Sequence, residues 1–324
     1  MDFKGHVNSI SCAVYSPDHM YIVSGSDDRT VRMWDCRTGK CLWVGEHDNY
    51  VSDVDYSPDG IASCSWDHTI RFWDCETGKC IRKLNAHTGW ILCLKYSPDY
   101  KRLASGCANG RLKIWNCSTG NCLESAPTHR EPISCIDYSP DGQYIATGGW
   151  DHTVKIWNSQ TLQCVNILQT LRDALTSIAY SPDGRHIAAV TEDHAINVLD
   201  CHTGKIVWSG MTSKLKSWGK QVIYSQNGEY IISVTWGSVV RVWDSKKGCF
   251  PIWEQVCEHP IVSLDPSGKG IFFKTMEDQT PINRIMYEED LAFFSLLKIL
   301  SAILRKTPGK WSDPRVWGII MRFT

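Results

Sequence analysis

Apolar residues in this chain come in short bursts of four to six, broken by turn-forming residues, with no sustained helical period before about residue 288. The first forty-odd residues set the pattern. Ile10–Tyr15 is an apolar run ended by Ser16-Pro17-Asp18, and Tyr21–Ser24 is a second run. After an Asp27-Asp28-Arg29 turn, Thr30–Trp34 alternates with polar Arg32 directed outward, and Thr38-Gly39 turns the chain into Cys41–Val44. Short runs bounded by Pro, Gly and Asp predict four antiparallel strands joined by tight turns. One such sheet buries its faces poorly. Packing it against another copy is the physical solution.

The copies are present. Tyr-Ser-Pro-Asp begins at Tyr15, Tyr56, Tyr96, Tyr138 and Tyr180, and returns in weakened form at Tyr224 and at Leu264-Asp265-Pro266. Trp followed by Asp or Asn recurs at Trp34, Trp73, Trp115, Trp157 and Trp243, with Leu199-Asp200 in the remaining place. A repeat of 40 to 44 residues, seven times over, predicts a ring of small sheets that covers both faces of each.

With Gly5-His6 opening the first unit and Trp34-Asp35 closing its third strand, the chain resembles the WD-repeat (WD40) family over about residues 5 to 287. The resemblance implies an all-β, seven-bladed β-propeller. It also implies a bracing set of His, Ser or Thr, Asp and Trp in each blade. Matched residue by residue, these are His6, Ser24, Asp28 and Trp34; His47, Ser63, Asp67 and Trp73; and His129, Thr147, Asp151 and Trp157. The third blade has His87, Ser105 and Trp115, with Asn109 in place of Asp. The fifth keeps only Asp193, beside Leu171, Ala189 and Leu199. The sixth keeps Ser233 and Trp243, with Leu215 and Gly237 elsewhere. In the seventh only Asp278 remains, beside Lys274 and Met286, and Pro281 falls inside its expected third strand.

The same resemblance implies that residues just before each turn Asp, and those three and five after each His, ring one mouth of a central channel. These include Asp27, Trp66, Trp150, Glu192 and Trp236 in the first class, and Tyr50, Ser52, Trp90, Ser134, Trp218 and Lys220 in the second. Six aromatics at positions that no fold requirement assigns point to a protein-binding face, because Trp and Tyr dominate interface energies. Trp66 and Trp150 are its expected central anchors, and Trp43, on an outermost strand, is the matched control. A further pattern, Val23 to Arg37 ending Trp34-Asp35-Cys36-Arg37, resembles the box by which substrate receptors engage cullin-RING ubiquitin ligases, with Arg37 its distinguishing residue.

Chemistry and charge narrow this little further. Four copies of a His with a Ser or Thr, three of them with Asp, at structural spacing argue for bracing rather than a hydrolase triad, which needs one exposed nucleophile. His68, His152 and His194 belong to different units and cannot converge on one metal. Fifteen cysteines show no C-x-x-C spacing and recur at fixed repeat positions, as core-filling residues do. No cofactor is expected. The formal net charge of -1 disfavours a nucleic-acid binder.

The chain start lacks a basic segment followed by an apolar run. The expected compartment is therefore reducing, cytoplasmic or nuclear. In relatives the outermost strand of the last blade often comes from the N-terminus. Here Met1 to Lys4 leave only three or four residues for it, so residues beyond Tyr287 are expected to help close the ring. Residues 288–324 read as a separate tail: acids at Glu288-Glu289-Asp290, an apolar helix over Leu291–Lys306, then Pro308. The expected function is a non-enzymatic scaffold or adaptor in an intracellular protein complex, as a monomer or one subunit. The alternatives are a ligase substrate receptor and a reader of modified peptides or nucleic acid.

Overall fold

The hairpins that the turn residues predict are present, and the side chains of those turns explain why the motif repeats. In a computed structural model of the chain, Ser16 Oγ donates to Asp18 at 2.5 Å and accepts from Tyr21 N at 2.9 Å, clamping the first turn shut. Ser97 with Asp99, Ser139 with Asp141, Ser181 with Asp183 and Ser225 with Asn227 repeat the arrangement. The Asp or Asn after each Trp anchors the third turn. Asp35 Oδ1 accepts from Thr38 N at 2.7 Å and from its hydroxyl at 2.8 Å, ahead of Gly39 at φ 70°.

The structure describes residues 2–168, 170–193, 195–211, 218–236, 239–256, 261–264, 271–277 and 280–286. Among these there are only strands, turns and loops. Six four-stranded antiparallel sheets are each built from consecutive strands. The first runs Ile10–Tyr15, Tyr21–Ser26, Thr30–Asp35, Cys41–Glu46, and the sixth ends with Tyr230–Thr235, Val239–Asp244, Trp253–Val256. A further sheet joins Ile261–Leu264, Ile271–Glu277 and Thr280–Met286 to Asp2–Lys4. Short as it is, that N-terminal strand pairs Asp2 with Arg284, Phe3 with Asn283 and Lys4 with Ile282. Phe3 is buried edge-on against Trp34. The expected helix at Leu291–Lys306 lies outside the described residues.

The first strands of successive sheets lie side by side: Ile10–Tyr15, Val51–Ser57, Ile91–Tyr96, Ile133–Tyr138, Leu175–Tyr180, Gly219–Tyr224. Ile261–Leu264 touches both Gly219–Tyr224 and Ile10–Tyr15. The core lies between neighbouring sheets. Val23, Val31 and Met33 of the first meet Val54, Ile61 and Trp73 of the second. Fourth strands are the outer edge, and Cys80–Asn85 alternates exposed and half-buried positions.

Polar side chains on the innermost strands staple each sheet to the next, a feature no repeat motif announces. Asp53 accepts from Leu94 N, Asp55 from Tyr96 N and Asp137 from Tyr180 N, at 2.9, 2.9 and 2.8 Å. Gln221 exchanges two bonds with the backbone of Leu264. Asp53, Asp55 and Asp137 line a central channel of about 590 Å³ together with Lys95, which pairs with Asp55 at 3.4 Å. Burial pushes the Asp53 carboxyl up to about 7 and that of Asp137 to about 6.

The recurring inner cysteines have a packing reason. Cys12, Cys93 and Cys135 each face a glycine across the first hairpin, namely Gly25, Gly106 and Gly148. Where the inner residue is Asp53, Ser177 or Gln221 instead, the partner is Cys64, Val190 or Val234. Each glycine makes room for its cysteine beside the first strand of the next sheet, since an added Cβ would meet both. A Cβ on Gly106 would lie 2.7 Å from Ile133 and 2.9 Å from Cys93 Sγ. Gly106→Ala is therefore expected to lower stability by about 1–3 kcal/mol through overpacking, measured by chemical denaturation. An unchanged midpoint would show that the third and fourth sheets can part without cost.

Candidate functional site

Three of the bracing sets form unbroken chains of hydrogen bonds. His6 Nε2 lies 2.7 Å from Ser24 Oγ and its Nδ1 2.7 Å from Asp28, while Trp34 Nε1 donates to Ser24 Oγ at 2.8 Å. His47, Ser63, Asp67 and Trp73 repeat this at 2.7, 2.8 and 2.8 Å. His129, Thr147, Asp151 and Trp157 do so at 2.7, 2.8 and 2.8 Å. A carboxylate only accepts, so Nδ1 of each neutral ring carries the proton, and Nε2 accepts from the hydroxyl, which itself accepts from the indole. Burial lowers the pKa of all three histidines, against the pull of their Asp partners.

Burial alone would raise the carboxyl groups, yet the hydrogen bonds win. His6 and Thr30 hold Asp28 far below the usual range, and His47 and Thr69 do the same for Asp67. Asp151 is held at about 2 by Thr153 and His129. The threonine hydroxyls donate at 2.6 Å in each set, and a cation four residues after the Asp (Arg32, Arg71 or Lys155) lies within 4.0, 3.3 and 3.5 Å. Arg32, expected to face outward, is thereby folded over the bracing set. The Asp-x-Thr-x-Arg/Lys spacing that carries this contact is present in the sequence at Asp28, Asp67 and Asp151. Ser24, Ser63 and Thr147 are buried, so none offers a nucleophile to solvent.

The other sets are partial. His87 Nε2 lies 2.8 Å from Ser105 Oγ, which also accepts from Trp115, but His87 Nδ1 has no partner among the described residues. Asn109 is exposed and donates instead to Thr88 Oγ1 at 3.3 Å. In the fifth sheet Leu171, Ala189 and Leu199 are packed in one apolar cluster, and Asp193 accepts from Thr191 within its own turn. Trp243 still donates to Ser233 at 2.8 Å. Leu215, Gly237 and Asp278 lie outside the described residues.

Removing one member of a complete set should cost more than removing a member of a depleted one. Asp67→Ala strands the His47 N–H in the interior and is expected to cost about 1–3 kcal/mol. Asp193→Ala should cost clearly less. Equal losses in denaturant melts of the two variants would refute this account of the bracing sets.

The rim residues share one rank. The N–H before each turn Asp donates to the carbonyl where the first strand begins: Asp27 to Ser9, Trp66 to Tyr50, Ala108 to Trp90, Trp150 to Pro132, Glu192 to Ala174 and Trp236 to Trp218, all at 2.8–3.0 Å. Trp90, Trp150, Trp218 and Trp236 are 47%, 49%, 61% and 58% exposed. Trp66 lies between Tyr50 and Trp90, with centroids 5.3 and 4.4 Å away, and is parallel to Trp90 within 7°. Lys220 Nζ sits 4.4 Å over the Trp236 ring. Asp27 accepts from Ser11 at 3.0 Å, and Glu192 is half-buried.

Some expected rim residues are otherwise engaged. Ser52 and Ser134 donate to Ile91 O and Leu175 O of the next sheets, both at 2.6 Å, so they staple rather than present. Trp43 is a correction of another kind. It lies on the outermost strand, but its ring is buried against Trp73 and Gly78. Arg37 is exposed on its turn. His68 and His152 occupy left-handed turn positions at φ 67° and 65°, and His194 lies outside the described residues. Among the described residues no group of three acids, cysteines or histidines is placed to hold a metal, and all fourteen cysteines are free thiols.

The comparisons with known proteins agree with the repeat. The family model described as "WD domain, G-beta repeat" matches residues 1–35, 39–74, 78–116, 120–158 and 162–200. WD repeat-containing protein 18 of Danio rerio is 41% identical over 56 residues, 17% of this chain and 13% of that protein. Eukaryotic translation initiation factor 3 subunit I of Emericella nidulans is 38% identical over 58 residues, 18% of this chain and 17% of its own length. A ribosome biogenesis protein BOP1 homolog of Drosophila erecta is 37% identical over 59 residues, 18% of this chain and 8% of its own. The chain thus spans less than a fifth of the length of these curated relatives. With five matched repeats covering more than half of its residues, the chain belongs to the WD-domain, G-beta repeat family.

Proposed function

We propose that this chain is a non-catalytic scaffold or adaptor that holds a segment of another protein across the aromatic rim of a seven-bladed propeller. Residues 1–287 form the propeller in this reading, and 288–324 form a tail. The contacts of Ile261–Leu264 with both Gly219–Tyr224 and Ile10–Tyr15, and the pairing of Asp2–Lys4, support a ring closed by its seventh sheet. The observation that carries the functional reading is the set of half-exposed rings at one rank of the repeat, above all the Trp66–Trp90 stack. Exposed apolar clusters are costly unless a partner covers them. The names of two relatives, a translation initiation factor subunit and a ribosome biogenesis protein, support a place in a cytoplasmic or nuclear multiprotein complex.

Affinity purification with mass spectrometry tests it, comparing wild type with a Trp90→Ala, Trp150→Ala variant that melts like wild type. Specific partners should be captured by the first and lost from the second. Identical partner sets would overturn the rim as the binding surface.

A further inference from the structure

The third sheet carries three-quarters of a bracing set and an opening where the fourth member belongs. Its Trp115 and Ser105 engage His87 through the same atoms as in the complete sets, and in the tautomer of those sets the imidazole accepts at Nε2 and carries its single proton on Nδ1. Burial first, then Lys113 and Arg111, holds His87 down at about 3, so the ring is neutral. That Nδ1 is an orphan donor on a side chain only 8% exposed. A buried donor left unpaired is destabilising. Asn109 does not relieve it: its amide is turned onto Thr88 and lies against Gly89.

The groups that grip the carboxylate in the other sets are nevertheless in place. Val7 N, Asp48 N and Arg130 N, each just after its His, donate to Asp28, Asp67 and Asp151. Thr88 N holds that rank in the third sheet and has no acceptor among the described residues. Lys155 reaches Thr128 O at 2.7 Å and Asp151 at 3.5 Å. Lys113 reaches the equivalent Ala86 O at 2.6 Å and meets no carboxylate among the described residues. The threonine of the other sets is replaced by Arg111, a second cation without an ion-pair partner among the described residues.

We infer that this edge of the third sheet is a carboxylate site, completed by an aspartate or glutamate side chain of the protein seated on the rim. The site is two residues from Trp90, so the acid would enter beside the Trp66–Trp90 stack. The identity of the donor rests on the proposed function; the site itself does not, and acetate alone can probe it.

In protein labelled with ¹⁵N-histidine, acetate should shift the His87 ring signals saturably, while acetamide and chloride at equal concentration should not. Asn109→Asp supplies the missing group in cis. It should melt several degrees higher and lose the acetate response. Asn109→Ala should melt like wild type and keep it. An unsaturable response, an equal one to chloride, or an Asn109→Ala variant that melts several degrees lower would overturn the site, the last because the amide would already be filling it. With a captured rim partner, Asn109→Asp should weaken binding at least tenfold. Unchanged partner affinity despite an acetate response that Asn109→Asp abolishes would overturn the assignment of the acid to that partner. Loss of partners from the Trp90→Ala, Trp150→Ala variant reads the rim independently.

Discussion

Replacing Trp43 with alanine is expected to destabilise the protein by about 3–5 kcal/mol, the range for a buried indole. The ring is 9% exposed and stacks on Trp73 with centroids 6.3 Å apart. It also fills the space above Gly78, where a Cβ would come within 2.5 Å of it. Its Nε1 donates to Cys75 O at 2.9 Å, so truncation opens a cavity between the first and second sheets and strands a carbonyl. Trp208 repeats the arrangement on Gly248 and Ser245 O, while Arg82 and Asn166 use polar ends to reach the equivalent turn carbonyls. Ile81→Ala, at a 59% exposed position of the outer edge, should change stability by about 0.5 kcal/mol or less. Denaturant melts of the two variants check this. Equal midpoints would mean that the outer strands do not tie neighbouring sheets together.

Trp43 also marks where reading the chain stops. Local signals were legible because their chemistry is local. Tyr-Ser-Pro-Asp marks the first hairpin since Ser16 and Asp18 close it themselves, and Asp35 anchors the third turn through Thr38. The His, Ser, Asp and Trp of a bracing set span one unit, so their register could be followed from repeat to repeat. Features that join one unit to the next were not legible. Asp53, Asp55 and Asp137 look like ordinary polar residues of alternating strands until the neighbouring backbone is seen to donate to them. An outer-strand Trp reads as exposed until the glycine turn of the next sheet is found against it. The pairing of Cys93 with Gly106, and of Gln221 with Val234, becomes visible only through cross-strand register. Asn109 departs from the pattern in the sequence itself. That its amide turns away and orphans His87 depends on rotamer and crowding, which spacing does not encode.

The largest functional effect is expected at the rim. Trp90 and Trp150 present half their surface to solvent, so their truncation should leave the fold intact while removing two anchors. Hot-spot truncations cost about 2 kcal/mol or more each, roughly thirtyfold in affinity, and effects at one interface are not additive. Trp66 is a poorer choice, since it is held between Tyr50 and Trp90 and its loss would disturb both. Leu123→Ala, 43% exposed on the outer edge of the third sheet, is the matched control. The direct measurement is the dissociation constant of a captured partner, by titration calorimetry, for wild type, Trp90→Ala with Trp150→Ala, and Leu123→Ala. A loss of at least thirtyfold in the double variant, with the control unchanged and all three melting alike, is the predicted result. An unchanged double variant beside a weakened Leu123→Ala would place the binding surface on the outer edge and contradict the aromatic rim.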